Sequence, residues 1–331
     1  MRDSGTTSSR RKWARRLGQA SLVAFAAFNG LVYFHAGSMV RWGTGTQRTA
    51  RPEELSLAQR AGVLLTGVSI PRPVNRRTPA DVGLPFETHV FENGLGDRLE
   101  AWYVPRPGAR TLTLVFHGYV SSKDDMLELA RGLVELESSV LLVDFYGSGG
   151  SSGADTTLGI REAHDVCAAL DYARAHWPAD ALVLYGQSMG GAAVLRAVAV
   201  LGALPDGLAV ESTFDRLLTT VKSRFHRLDL PATPFAHLLV FWGSLCIGAN
   251  AFAHDPLEYA ASVRCPALVL RGERDPNISS AEARSLHERL AGWKRYSEYP
   301  ETGHEDLRSA DPRRWSEDLE ALFAEVLARR R

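Results

Sequence analysis

Residues 181–198 read ALVLYGQSMGGAAVLRAV, and this stretch decides the fold. Ala181 to Gly186 is a short apolar run of strand length, and from Met189 onward small residues and a leucine-valine pattern suit a buried helix. The bend between them is Gly186-Gln187-Ser188-Met189-Gly190, which fits G-x-S-x-G, the nucleophile elbow. A turn this tight brings residues 186 and 190 against neighbouring backbone, so both must lack a side chain, and the serine between them is lifted clear of the sheet. The helix starts immediately behind Ser188, which aims its free N–H groups and positive dipole end at any negative charge developing there. The pentapeptide alone is short enough to recur by chance. Its place between a strand and a small-residue helix is what gives it weight.

A serine hydroxyl is a poor nucleophile until a base removes its proton, so a working elbow requires a histidine and a carboxylate delivered by later strands. The sequence supplies Asp275, in the loop Glu273-Arg274-Asp275-Pro276 after the strand ALVLRG, and His304, in the loop Glu301-Thr302-Gly303-His304 after RYSEY. The order Ser, Asp, His is the one associated with this elbow. A loop Asp taken singly is more often a turn or cap residue, and Glu211 or Asp215 is the alternative acid. A lone surface His is more often solvated, but His304 is better placed than His176, His237, His254 or His287. An oxyanion needs two N–H donors, one from Met189 and the other from Tyr119 in the loop His117-Gly118-Tyr119 after the strand TLTLVF. His117 is read as holding that loop by hydrogen bonding and not as the base.

These features resemble the α/β-hydrolase superfamily over residues 86–328. The segment Asp144-Phe145-Tyr146-Gly147-Ser148-Gly149, followed by Ser151 and Gly153, is similar to that family's D-x-R-G-x-G-x-S-x-G loop, with Tyr146 where Arg is frequent. Among its members the chain most resembles monoacylglycerol-lipase-like and serine-aminopeptidase-like proteins, including membrane-anchored ones. The resemblance implies an α/β fold with a mostly parallel eight-stranded sheet, helices on both faces and a small helical cap, and Ser188 where dehalogenase relatives carry Asp. It implies a serine hydrolase of a small, largely apolar ester, thioester or amide, needing no metal or organic cofactor. A peptidase of the same fold, or a silent membrane-tethered scaffold, are the alternatives.

Strand and helix patterns alternate from Phe86: strands at 86–92 and 98–104 flanking Asn93-Gly94 as a hairpin, then 111–116, 139–144, 181–186, 208–211, 267–271 and 295–299. Helices are expected at 124–136, 158–176 and 312–328. An insertion at about 217–255 contains FAHLLVFWGSLCIGANAF. A membrane crossing there would put Asp275 and His304 on the opposite side from Ser188, so a cap is expected, either lining an acyl pocket or simply packing.

Upstream, residues 1–16 form a basic tail with Arg10, Arg11, Lys12, Arg15 and Arg16, and residues 17–40 open with about twenty uncharged residues, LGQASLVAFAAFNGLVYFHA, long enough as a helix to cross the hydrocarbon core. Gln19, Asn29 and His35 dilute it. An uncleaved signal anchor, a cleaved export signal and a surface-lying amphipathic helix compete. The first would place the catalytic domain on the extracytoplasmic side, an orientation blunted by Arg41, Arg48 and Arg51. Residues 41–85 read as a connector with a helix at about Pro52 to Leu65 and no chemistry. At 331 residues, 45% hydrophobic, with 38 basic and 38 acidic residues, the chain is ordinary globular material, and its charge balance suggests no nucleic-acid partner. Cys167, Cys246 and Cys265 lack metal-ligand spacing and read as free thiols.

Overall fold

The computed structural model describes residues 5–50, 55–304 and 306–330. Eight strands form one sheet: β1 (Glu87–Glu92), β2 (Arg98–Val104), β3 (Thr111–Phe116), β4 (Ser138–Val143), β5 (Ala181–Gln187), β6 (Gly207–Glu211), β7 (Ala267–Gly272) and β8 (Lys294–Tyr299). Their order is β1-β2-β4-β3-β5-β6-β7-β8. β1 and β2 pair antiparallel, as do β2 and β4, and the remaining neighbours are parallel.

The helices are α1 (Gly5–Val40), α2 (Leu57–Thr66), α3 (Leu127–Glu135), α4 (Glu162–His176), α5 (Met189–Leu201), α6 (Leu217–Arg227), α7 (Phe235–Ile247), α8 (Pro256–Ala260), α9 (Ser280–Arg289), α10 (Leu307–Ala310) and α11 (Pro312–Ala328). Side chains alternate across the pleat, so each inner strand feeds two cores. Leu112, Leu114, Phe116, Leu182 and Leu184 pack toward α4 and α5 on one face. Val115, Val183 and Tyr185 pack toward α3 and α11 on the other, around the fully buried Trp315. The chain leaves β3 through α3 to β4, then returns through α4 past β3 to β5. This reversal opens a crevice at the carboxyl ends of β3 and β5, where such sheets hold their ligands.

Several boundaries differ from the sequence reading. α4 begins at Glu162, not near Leu158, because the Glu162 carboxylate accepts N–H bonds from Thr157 and Gly159, both at 2.9 Å, and so holds the preceding turn outside the helix. In the hairpin the loop spans residues 93–97, with Gly96, not Gly94, in the left-handed region at φ +80°. α2 starts after Ser56, whose side chain forms a capping box with Gln59; the expected start at Pro52 lies outside the described residues.

α1 contains a stretch, Arg11–Val40, that is long and apolar enough to cross a membrane by length and composition. Its last turn does not project freely, however. Ala36 and Val40 are buried against the domain, and α7 runs beside α1 with Trp242 Nε1 donating to Asn29 Oδ1 at 3.0 Å.

Nor is the 41–85 stretch a loose tether. Arg72 reaches into the loop after β4, donating to the carbonyls of Gly149 at 2.8 Å and Gly153 at 3.0 Å as well as to Ser148 and Ser151. Arg72 thus anchors the loop in which Tyr146 replaces the frequent arginine; Tyr146 itself lies under Gly153 and against the Arg161 guanidinium.

A buried charge cluster ties the start of the β3–α3 connection to β4. Lys123 is fully buried between Asp144 and Glu100, bonding Glu100 at 2.8 Å, and lies over the Trp102 ring. Burial alone would raise the Asp144 carboxyl, but the Lys123 ammonium and the surrounding hydrogen bonds hold it below its ordinary value. A depressed folded value means that the stabilisation is fully present above the ordinary carboxylate value and is lost as pH falls through the folded one. Replacing one partner of such a pair strands the other, at a cost of about 3–5 kcal/mol. Lys123→Met should therefore lower the thermal midpoint by on the order of 10 °C at neutral pH. In the variant the Lys123 charge is gone while burial still acts on Asp144, so its carboxyl rises relative to the wild-type protein and the deficit should shrink as pH falls toward about 4; equal deficits at both pH values would contradict the role given to Asp144.

Candidate active site

At the end of β5 the backbone turns directly into α5. Ser188 holds φ +52° and ψ −113°, a strained conformation for a residue with a side chain, and its N–H is tied to the Glu211 carbonyl at 2.7 Å. The flanking glycines explain how the turn is possible. A Cβ on Gly190 would lie 2.3 Å from the Phe116 carbonyl oxygen, and one on Gly186 would lie 2.6 Å from the Gly190 backbone. Both collisions are with backbone, which cannot swing aside.

The loops after β7 and β8 bring the expected partners to this turn. His304 Nε2 lies 3.3 Å from Ser188 Oγ, and His304 Nδ1 lies 2.7 Å from Asp275 Oδ2. The other carboxylate oxygen of Asp275 accepts N–H bonds from Asn277 at 2.7 Å and Ile278 at 3.1 Å. Burial pushes the Asp275 carboxyl up, but the hydrogen bond and charge of His304, together with those two amides, bring it below the usual range. An ionised carboxylate only accepts, so Nδ1 carries the imidazole proton. Nε2 is then the bare nitrogen of the neutral ring, free to accept from the serine hydroxyl.

The alternative acids lie elsewhere. Glu211 is wholly buried, accepts from Tyr185 and from Gln187 at 2.9 Å, and is pushed by burial and by Asp306 to about 7. Asp215 is pushed to about 6 by burial and by nearby Glu282. Neither has a hydrogen bond to His304 among the described residues.

The loop after β3 passes close by, with the position of a Cβ on Gly118 only 3.5 Å from Ser188 Cβ. His117 is fully buried. Its Nε2 accepts from the Phe145 N–H at 3.2 Å, so Nδ1 is the donor to the Gly118 carbonyl at 2.8 Å, and burial, the largest influence, lowers its basicity. A neutral ring bonded at both nitrogens fixes the loop that carries Tyr119. Among the described residues no acceptor takes the N–H of Tyr119 or of Met189, and the α5 N-terminus has no side-chain cap.

A cavity of about 220 Å³ opens over Ser188 and His304. Its walls are mostly apolar and come from α6, α7, the loop after β6 and, unexpectedly, the last turn of α1 through Ala36, Met39 and Val40. The Tyr119 hydroxyl donates to the Met39 carbonyl. Among the described residues Arg224 of α6 is the one Arg or Lys in the lining, and no Asp or Glu is part of it. The cap helix α7 therefore lines the pocket through Leu239, Val240 and Gly243 as well as packing. The α1 contribution and Arg72 were invisible in the sequence. Their partners are far away along the chain, and neither sits in a motif.

Residues 107–232 match the family model described as serine aminopeptidase, S33. Over 229 residues the chain is 31% identical to an uncharacterized protein of Mycobacterium tuberculosis, covering 68% of this chain and 74% of that one. It is 26% identical to an alpha/beta hydrolase domain-containing protein of Arabidopsis thaliana, over 73% of this chain and 79% of its relative. Among solved structures, an esterase of Pyrococcus furiosus superposes with a TM-score of 0.64 at 20% identity, covering 77% of this chain and 96% of that one.

The elbow geometry makes a direct prediction. Gly190→Ala should force β3 and α5 apart and cost about 1–3 kcal/mol by overpacking, read as a lowered thermal midpoint, whereas Gly94→Ala, where a Cβ meets nothing within 4 Å, should leave the midpoint within about 2 °C.

Proposed function

The chain belongs to the α/β-hydrolase family, and on that footing we propose that it is a serine esterase cleaving a small, largely apolar acyl ester through an acyl-enzyme on Ser188. The observation that carries this reading is the unbroken relay from Ser188 Oγ through His304 to Asp275, at 3.3 and 2.7 Å. Ser188 Oγ attacks the carbonyl carbon while His304 Nε2 takes its proton. The carbonyl oxygen becomes an oxyanion that the N–H groups of Tyr119 and Met189 stabilise at the positive end of α5, each such donor being worth about 3–4 kcal/mol. The intermediate collapses, His304 hands the proton to the departing alkoxide, and the acyl group stays on Ser188. Water then repeats the sequence and releases the acid. Asp275 keeps the imidazole in the tautomer that leaves Nε2 bare and stabilises the imidazolium that forms.

A peptidase reading is favoured by the description of the matching family. Against it stands the pocket lining, because recognition of a free α-amino group calls for a carboxylate, and among the described residues none lines the cavity over Ser188. Esters should therefore be cleaved in preference to aminoacyl amides of matched size.

We read residues 17–40 as a retained membrane anchor, residues 41–85 as a connector and 86–331 as the catalytic domain with its cap at about 217–255. Retention of the anchor is supported by the burial of Ala36 and Val40 at 3% and 4% exposure, since cleavage after the helix would strip one wall from the cavity.

Ser188→Ala should abolish labelling by a fluorophosphonate probe without changing the thermal midpoint by more than a few degrees; persistent labelling would place the nucleophile elsewhere. His304→Ala and Asp275→Asn should each lower kcat by on the order of a thousandfold or more, measured with p-nitrophenyl esters, and a loss of only a few fold would remove that residue from the relay.

A further inference from the structure

The N-terminal helix and the cap helix are a single packed unit at the mouth of the cavity. Phe28 meets Phe235 edge-on with centroids 6.0 Å apart, Tyr33 meets Trp242 at 5.6 Å, and a Cβ on Gly37 would rest 3.6 Å from Cys246 Sγ. α7 therefore climbs beside α1 in the same direction, from Phe28 to Gly37, a rise of about 13 Å. Both helices turn large apolar side chains outward. Leu22, Val23 and Phe25 on α1 are each more than 60% exposed, and on α7 Phe241 and Leu245 are 48% and 58% exposed. These exposed side chains lie on two helices packed side by side, one of bilayer-spanning length and the other lining the cavity over Ser188. Water is a poor neighbour for such side chains, and lipid is the occupant specified by their place on a helix of bilayer-spanning length and on the helix packed beside it.

The same two helices both line the cavity. Ala36, Met39 and Val40 come from α1, and Leu239, Val240 and Gly243 from α7, with Ser188 and His304 in the same cavity. A chain seated in the cavity at this end of the helix pair would touch both helices and reach Ser188. We propose that the substrate is an acyl lipid drawn directly from the bilayer, its chain seated between the end of α1 and α7, so that the anchor helix is a substrate-binding element as well as a tether. This rests on the serine hydrolase reading above and names the substrate class of that same site.

The test uses the full-length chain in phosphatidylcholine vesicles, with two fluorophosphonates that report on the same serine: a hexadecyl probe dissolved in the bilayer with the protein, and a short ethyl probe added to the water. Labelling by the hexadecyl probe should rise with its mole fraction in the bilayer and stay constant when the vesicles are diluted tenfold in buffer. Gly243 has open space around a built Cβ, so a large side chain there should fill the cavity. Gly243→Trp on one wall and Met39→Trp on the other should each lower the ratio of hexadecyl to ethyl labelling rates at least tenfold. If a tryptophan variant loses both labels, Gly243→Leu and Met39→Phe carry the same comparison with less strain, expected to lower the ratio at least threefold. An unchanged ratio in the Met39 variants would remove α1 from the substrate site and overturn the proposal. A hexadecyl rate that fell in proportion to dilution would overturn the bilayer route. Absence of labelling of the wild-type chain by either probe would instead overturn the hydrolase reading, and this one with it.

Discussion

Two backbones pass so close at the β5–α5 turn that a side chain at residue 190 would occupy the Phe116 carbonyl. That contact locks the first turn of α5 onto the end of β3, and most of the site follows from it. It forces Ser188 into a positive φ, which lifts the hydroxyl above the rim of the sheet. It also brings the loop after β3, at Gly118, beside the turn from which α5 starts. Parallel pairing of β6, β7 and β8 then carries the loops of Asp275 and His304 to the same rim, because every one of these strands ends on the same side.

Polar groups buried behind the rim keep this geometry stiff. His117 bonds at both ring nitrogens, Asp144 and Lys123 pin the start of the β3–α3 connection to β4, and Arg72 threads into the loop after β4. None of these side chains touches the cavity over Ser188. Their part is to deny the loops the freedom to drift. A shift of about an ångström between serine and imidazole is enough to cost a large part of the rate. The charges are tolerated in the interior because each is met by an opposite charge or by several hydrogen bonds, and removal of one member leaves the others stranded.

The helical cap links the chemistry to its surroundings. α7 has apolar residues nearly all round, which as a soluble helix would demand burial on every side. The structure instead sets it against the core through Ala236 and Val240, against α1 through Trp242, and along the open cavity through Gly243. Phe241 and Leu245 remain exposed, on a helix packed against the long N-terminal helix.

The sequence by itself determined the eight strands, the elbow with its two obligatory glycines and the α/β class, and it singled out Ser188, His304 and the Tyr119 loop as candidates, with Asp275 ahead of two other acids. Those were legible because strand periodicity is local and because a backbone collision at a tight turn can be read from which residues lack a side chain. Tertiary structure decided which carboxylate meets His304, since Asp275, Glu211 and Asp215 all follow strands and only the fold measures their separation. It also decided that Arg72 holds the loop where Tyr146 stands, and that the end of α1 forms a wall of the cavity. Those contacts join residues separated by some eighty to more than two hundred positions, Arg72 to Ser148 or Asn29 to Trp242. No periodicity or spacing encodes such a meeting; it exists only once the chain has closed on itself.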